Sequence, residues 1–236
     1  MEIFLSLDTW IALLTLTFLE IVLGIDNIIF ISIVAGKLPK EEQKKARFVG
    51  LSLALIVRIL LLMGITWLIG LTEPVLSLFD FNLSWRDIIL AVGGFFLIAK
   101  STSEIHHKVE GEDPEKEIKK PKAFSNAILQ IVLLDIIFSF DSILTAVGLT
   151  NQITLMVIAV IVSIIVMMLF AGAISDFVNK HETLQILALS FLILIGFMLV
   201  VEGVHIHVPK GYIYFAVFFS LIVEVININA RKKKKQ

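Results

Sequence analysis

Apolar residues along the chain form successive blocks of about 17–25 residues, separated by short polar segments. An α-helix needs a block of that length to cross ~30 Å of hydrocarbon at ~1.5 Å per residue. The pattern therefore predicts an all-α polytopic membrane protein with about seven transmembrane helices. We expect them at Trp10–Val34, Phe48–Ile69, Trp85–Thr102, Phe124–Leu149, Ile153–Ile174, Leu184–Val201 and Tyr212–Asn227.

Composition agrees with this pattern, because 58% of the 236 residues are hydrophobic, compared with roughly 45–50% in soluble domains. The sequence contains no cysteine, which excludes disulfides, thiolate metal sites and thiol redox chemistry. Residues 1–8 contain no basic segment and no small-residue cleavage site, so we expect the first apolar block to be a retained helix. We expect the lipid bilayer as surrounding partner, and no enzymatic activity, resident cofactor or nucleic-acid partner. The sequence predicts no particular oligomeric state.

Lysines and arginines cluster in the segments that follow predicted helices 1 and 3. Such clusters mark cytoplasmic loops, and the two segments share a side only if helices 2 and 3 both cross the membrane. If both helices cross, 17 of the 20 basic residues lie inside, Arg86 and Lys210 lie outside, and Arg58 lies within the membrane. The predicted orientation is therefore N-out and C-in.

Predicted helices 1 and 4 share a sequence pattern, since residues 19–28 read LEIVLGIDNI and residues 134–143 read LDIIFSFDSI. The shared positions are an acid, an Asp six residues later and a short oxygen-bearing residue directly after that Asp. They are Glu20, Asp26 and Asn27 in helix 1, and Asp135, Asp141 and Ser142 in helix 4. A second echo pairs GFFL at 94–97 in helix 3 with GFML at 196–199 in helix 6.

These echoes divide the chain into two repeats of three helices, followed by one additional helix. Because three crossings are an odd number, the second repeat enters the membrane from the opposite side. This predicts repeats inverted about an axis in the membrane plane, as in many transporters. The expected segments are the first repeat at 1–103, a charged cytoplasmic linker at 104–122, the second repeat at 123–203, a seventh helix at 204–230 and a basic cytoplasmic tail at 231–236.

Charges predicted at membrane depth are mostly acidic, and each ionisable group there costs at least ~2.5–3.5 kcal/mol to insert. Carboxylates together with Asn and Ser oxygens form a hard-ligand set suited to Mg²⁺, Ca²⁺ or Mn²⁺. The predicted metal ligands are Asp26, Asp141, Glu20, Asn27, Asp135 and Ser142. The candidates for gating or proton coupling are Arg58, Glu224 and Glu202.

Several roles stay open at this stage. Six residues turn an ideal helix through ~600°, so Glu20 and Asp26 lie ~120° apart, whereas Glu20 and Asn27 share a face. Local breaks at Gly24 and Ser139 would bring these side chains to one ion and free backbone carbonyls as ligands. Arg58 either pairs with one carboxylate or holds the empty site until a cation displaces it. Glu202 and Glu224 are alternatively neutral packing residues, and the histidine pair at 205 and 207 is either an outer metal site or an ordinary interfacial loop.

The motifs resemble those of the TerC family of integral membrane proteins. The resemblance rests on LGIDN at 23–27, FSFDS at 138–142 and HVPKGY at 207–212, and it extends to GKLP at 36–39, KAR at 45–47 and the position of Arg58. It implies a bacterial seven-helix inner-membrane protein whose better understood relatives look like manganese exporters. Asp26, Asn27 and Asp141 match the paired acidic motifs of that family. The expected cargo is a divalent metal cation, Mn²⁺ first and Ca²⁺ second, with proton antiport as the expected coupling.

Three other classes of protein remain as alternatives. An exporter of amino acids or other small organic solutes would require a cationic group and a roomy cavity. An intramembrane aspartyl protease would also use two membrane aspartates, but its usual Gly-x-Gly-Asp context is missing around Asp26 and Asp141. A non-transporting assembly or metallation factor would differ from a transporter only in a flux assay on purified protein.

Overall fold

A computed structural model describes residues 6–78, 81–110, 120–150 and 152–233. Within these ranges the description omits the side chains at 25, 26, 78, 81, 120–123, 141, 145, 148, 149, 210 and 231–233. Seven helices in the described ranges are long and apolar enough to cross a membrane. An all-α polytopic membrane protein is therefore confirmed as the fold class.

The chain forms eight helices and two short strands in its described ranges. They are α1 (Leu7–Gly36), α2 (Lys40–Met63), α3 (Ile65–Gly70), β1 (Pro74–Leu78), β2 (Phe81–Ser84), α4 (Trp85–Glu110), α5 (Lys120–Leu149), α6 (Ile153–Asn179), α7 (Glu182–Gly203) and α8 (Lys210–Lys233). β1 and β2 pair as an antiparallel hairpin. The expected second helix, Phe48–Ile69, is divided at Gly64 into α2 and the short helix α3. The hairpin that follows α3 was not predicted from the sequence pattern.

Helices α2 and α4 are longer than hydropathy predicted. α2 begins at Lys40, eight residues before the expected start, and its first turn contains two acids that complement the positive end of the helix dipole. α4 continues to Glu110, and the Lys100–Glu104 ion pair of 2.8 Å supports its polar end. Residues 104–110 of the predicted linker are thus helical, and residues 111–119 lie outside the described residues.

The structure does not contain the local breaks that the sequence left open at Gly24 and Ser139, because α1 and α5 are each one continuous helix of 30 residues. One glycine inside a helix costs only about 1 kcal/mol, which the packing of a long apolar helix easily offsets. Gly24 instead allows close approach of α6, since a Cβ at this position would overlap the Met167 sulfur. Ser139 directs its hydroxyl to Asp135 within the same helix, at 3.1 Å.

Two compact units make up the chain. The first contains α1, α2, α3, the hairpin, α5 and α6, and the second contains α4, α7 and α8. In the first unit α1 packs mainly on α6, while α2 packs on α5 and α6. Each unit therefore draws helices from both predicted repeats.

Contacts within the first unit fix the directions of its four long helices. Gly24 approaches Met167 and Gly36 approaches Asn179, so α1 and α6 run parallel. Gly50 of α2 approaches Ile131 of α5, and Arg58 further along α2 reaches Asp135 further along α5, so these two helices are also parallel. The short connection between α1 and α2 makes those neighbours antiparallel. Consequently α1 and α5 run in opposite directions.

The second unit is built around a close crossing of α4 and α7. A Cβ on Gly94 would overlap the carbonyl oxygen of Gly196, and a Cβ on Gly196 would lie 2.7 Å from the carbonyl oxygen of Gly94. Such backbone contact between helices requires small residues. Arg86 near the start of α4 reaches Glu202 near the end of α7, so the two helices are antiparallel. α8 packs against α7.

Candidate functional site

A cluster of charged side chains lies at the middle of the first unit's helices. Glu20 and Asp135 each lie within two residues of the centre of a 30-residue helix, which is within ~3 Å along the helix axis. Both side chains are buried, as is Arg58 on α2. We refer to Glu20, Arg58 and Asp135 as the central triad.

Arg58 contacts both carboxylates of the central triad. Its Nη1 donates to Glu20 Oε2 at 2.7 Å, while Nη2 and Nε donate to Asp135 Oδ1 at 2.8 and 3.2 Å. The planar guanidinium suits this geometry, because it presents several donors in a fixed fork. The sequence predicted an ion pair with one carboxylate as one of two alternatives, and the structure has an ion pair with two.

Asp135 accepts further hydrogen bonds from short polar side chains. Asn27 Nδ2 donates to Asp135 Oδ1 at 3.3 Å, and Ser139 Oγ donates to Asp135 Oδ2 at 3.1 Å. Asn27 thus faces the same cluster as Glu20, as its spacing of seven residues predicted. Ser142 is buried nearby along α5, and its hydroxyl donates to the carbonyl oxygen of Ser139 at 3.2 Å.

The two aspartates of the repeated motif have their side chains outside the described part of the structure. Their backbone positions lie within α1 and α5, where Asp26 directly precedes Asn27 and Asp141 directly precedes Ser142. Their role as metal ligands stays a prediction. Among the side chains that are described, no group of three His, Cys, Asp or Glu residues is arranged to hold a metal ion.

Charge in the central triad is not balanced. When both carboxylates are ionised they carry two negative charges, and Arg58 supplies one positive charge. The three side chains of the central triad are only 3–7% exposed to solvent, so bulk water does little to screen the remaining negative charge. The arrangement can compensate that charge by binding a cation or by taking up a proton.

A second polar cluster lies in the other unit, where α4 begins and α7 ends. Arg86 Nη2 donates to Glu202 Oε1 at 2.7 Å, and Asp87, which is 2% exposed, lies 2.9 Å from His205 Nε2. The contact with Arg86 makes Glu202 an ion-pair partner, and its role in gating stays a prediction. Asp87 was missed in the sequence, although an acid directly before an apolar run was a usable signal.

Glu224 lies on α8, within three residues of the helix centre. Its Oε1 atom is buried and has no hydrogen-bond partner among the described residues. The role of Glu224 in proton coupling stays a prediction.

Comparisons with a family model and with individual relatives agree on one family for this chain. A family model described as "Integral membrane protein TerC family" matches residues 5–236. The UPF0053 inner membrane protein YgdQ of Escherichia coli is 52% identical over 227 residues, which cover 96% of this chain and 95% of that protein. A UPF0053 protein of Haemophilus influenzae is 48% identical over 229 residues, 97% of each chain. The UPF0053 inner membrane protein YoaE of Escherichia coli is 47% identical over 233 residues, 98% of this chain and 45% of that protein. No solved structure matches the chain.

Proposed function

Because the chain belongs to the TerC family of integral membrane proteins, we propose that it transports divalent metal cations, with export of Mn²⁺ as its main activity. The chain is a multi-pass protein of the bacterial inner membrane, as its seven membrane-spanning helices and its inner-membrane relatives indicate. The transport site proposed here lies at the centre of the first unit.

The central triad carries this proposal. Glu20 and Asp135 occupy corresponding positions in the repeated motif, and both contact Arg58 at the middle of their helices. When both carboxylates are ionised, the cluster is left with one excess negative charge before Asp26 and Asp141 add theirs. A cation is the simplest partner for such a site, because uncompensated charge at membrane depth is costly. The oxygen-rich ligand set favours a hard divalent ion.

Helix directions support the proposed inverted repeat. α1 and α5 run in opposite directions, as do α4 and α7, which are the third helices of the two repeats. Gly94 and Gly196, which occupy matching positions in the third helices of the two repeats, also contact each other reciprocally, as corresponding residues do across a two-fold axis. Inverted repeats with a central site are typical of alternating-access transporters, and the N-out, C-in orientation is part of this proposal.

Arg58 acts in this proposal as a resident cation. It neutralises part of the site in the ion-free state, and an arriving metal ion displaces it from at least one carboxylate. Outward movement of two positive charges against ~100 mV, inside negative, costs ~4.6 kcal/mol before any concentration term. Inward movement of protons would offset this, with Glu20, Asp135 or Glu224 as proton carriers.

An exporter of organic solutes is less well supported. Such a protein needs a free cationic group for the substrate's carboxylate, whereas the deep guanidinium of Arg58 already donates to two carboxylates. A non-transporting assembly factor is separated from a transporter by the flux experiment below.

The decisive experiment measures Mn²⁺ flux in proteoliposomes that contain the purified full-length protein alone. We expect Asp26→Asn and Asp141→Asn each to abolish flux, and the double variant to be no worse than either, because both carboxylates serve one ion. Asp176→Asn, at an exposed position on α6, is the matched control and should retain flux. A single variant that keeps most of its flux would remove that carboxylate from the site, and folded wild-type protein without flux would overturn transport.

Competition between metals tests the ligand set. A cage of oxygen ligands should prefer Mn²⁺, accept Ca²⁺ next and bind Mg²⁺ poorly, because Mg²⁺ demands short bonds of ~2.0–2.1 Å and holds its waters tightly. Zn²⁺ should at most block flux, since nitrogen and sulfur ligands suit it better. Efficient transport of zinc or copper with no response to manganese would contradict the predicted ligands.

A further inference from the structure

A groove of about 260 Å³ lies between α2 and α6, at the end of the first unit where α2 begins and α6 ends. Lys44 and Arg47 line its polar end. The rest of its lining is apolar and includes Phe48, Leu51 and Leu169. Among the described residues that line it there is no carboxylate, so the groove combines positive charge with an apolar surface.

The two cations are held on one face of α2. Lys44 and Arg47 are three residues apart, a spacing that makes side chains neighbours on a helix. Arg47 Nη1 donates to the buried Ser175 Oγ of α6 at 3.2 Å, which fixes the guanidinium at the rim. Leu51 lies seven residues beyond Lys44, or ~10 Å along the helix. The groove therefore passes from charged to apolar over about two helical turns.

Space for a ligand is present beside Gly172. A Cβ at this position would meet no atom within 4 Å, and the flanking side chains Phe48 and Leu169 are 62% and 74% exposed. The protein's own described side chains thus leave the apolar part of the groove open to the surrounding lipid.

We propose that this groove binds an anionic phospholipid. The phosphate pairs with Lys44 and Arg47, and one acyl chain lies along Leu51 and Gly172. The charge of the lining selects an anionic headgroup, for which guanidinium is a strong bidentate donor. The position suits a lipid, because basic residues at the ends of membrane helices lie at headgroup level while their stems cover apolar surface.

Charge substitutions test the headgroup contact. Purified full-length protein in detergent would be titrated with phosphatidylglycerol or phosphatidylcholine, and bound lipid counted by native mass spectrometry. Lys44→Gln and Arg47→Gln should each weaken phosphatidylglycerol binding about fivefold, which corresponds to the ~1 kcal/mol that a basic residue contributes near anionic lipid. Phosphatidylcholine binding should not change. Lys40→Gln, an exposed lysine outside the groove, is the control and should bind as the wild type does.

Filling the groove tests the acyl-chain contact. Gly172→Leu should reduce binding of both lipids by at least threefold, whereas Gly70→Leu, at another glycine with open space, should not. Thermal unfolding of each variant without lipid checks that the fold is kept. If Arg47→Gln does not fold, Lys44→Gln alone tests the headgroup contact.

Three results would each overturn the proposal: equal binding of the two lipids by the wild type, a loss of phosphatidylglycerol binding in Lys40→Gln as large as in Lys44→Gln, or unchanged binding by Gly172→Leu. So would competition by soluble glycerol phosphate at the concentration of the lipid, which would identify a site for free phosphate.

Discussion

Arg58 is the only described basic side chain that contacts Glu20 and Asp135, so its removal leaves two buried acids without their cation. A buried ion pair contributes little net stability, because desolvation offsets most of the attraction. Removing one partner is different, since the charge that remains is buried and uncompensated. The central triad therefore makes the first unit sensitive to any change in its charge balance.

We predict that Arg58→Gln lowers the free energy of unfolding by about 3–5 kcal/mol, the usual effect of breaking a buried pair from one side. Adding Asp135→Asn to this variant should recover much of the loss, because it restores the original net charge of the cluster. Denaturant unfolding of the purified protein in detergent would measure both changes.

Arg86→Gln serves as the comparison. The Arg86–Glu202 pair is 20% and 13% exposed, so water partly replaces the lost partner and the effect should be smaller. If Arg58→Gln destabilises the protein no more than Arg86→Gln does, the central triad is not the uncompensated charge cluster described above.

Part of the contact geometry of this site could be predicted from the sequence, while the roles of its residues stay predictions. A lone arginine among deep acids pointed to an ion pair, and a spacing of seven residues placed Glu20 and Asn27 on one face. The sequence could not show that Arg58 contacts two carboxylates or that Asp87 contacts His205. Those contacts depend on how neighbouring helices are rotated and shifted along each other, and hydropathy and spacing contain little information on either.

At the level of the helices, hydropathy located the membrane-spanning segments but not their ends. The polar ends of α2 and α4 stay helical because dipole interactions and ion pairs stabilise them. Such polar residues lower the average hydropathy of a sequence window. The role of one glycine was left open by the sequence. Gly24 could have broken α1, whereas in the structure it lies against Met167 of α6.

The α4–α7 crossing gives a prediction about glycine packing. Gly94→Ala and Gly196→Ala should each destabilise the protein by about 1–3 kcal/mol, as overpacking typically does, because the new methyl group meets backbone that cannot rotate away. Thermal unfolding in detergent would measure the loss.

Gly172→Ala is the matched control for the crossing, since its Cβ would meet no atom within 4 Å. It should be neutral or slightly stabilising, because Ala favours helix by up to ~1 kcal/mol over Gly. Equal stability of Gly94→Ala and Gly172→Ala would show that α4 and α7 do not approach as closely as the structure has them.

For the whole molecule, the sequence predicted the seven spanning helices, and its division of the chain into two inverted repeats stays a prediction. It did not predict that α4, α7 and α8 form a unit apart from the other helices, because such grouping is decided by long-range contacts. Sequence neighbours such as α2 and α4 can therefore belong to different units, even though repeats are read along the chain.

The proposed orientation can be tested directly, because the chain has no cysteine and each introduced thiol is unique. Cysteines that replace Glu41 and Glu110 should react with a membrane-impermeant reagent only from the cytoplasm, and one that replaces Ile206 only from outside. All three positions are exposed. Opposite sides for positions 41 and 110 would mean that α4 does not cross the membrane, and the parity argument would fail.

The central triad has a consequence for the resting protein. In the proposed inverted repeat, the two-fold operation that exchanges α1 with α5 also exchanges α2 with α6, yet α6 carries no lysine or arginine to correspond to Arg58. If the chain is an alternating-access transporter, as proposed, two identical halves would give inward-open and outward-open forms that are related by the two-fold axis and equal in energy. A single guanidinium, supplied by one half only, removes that degeneracy. The empty protein should therefore favour one of the two forms, and an ion arriving from the disfavoured side must first supply the energy difference between them.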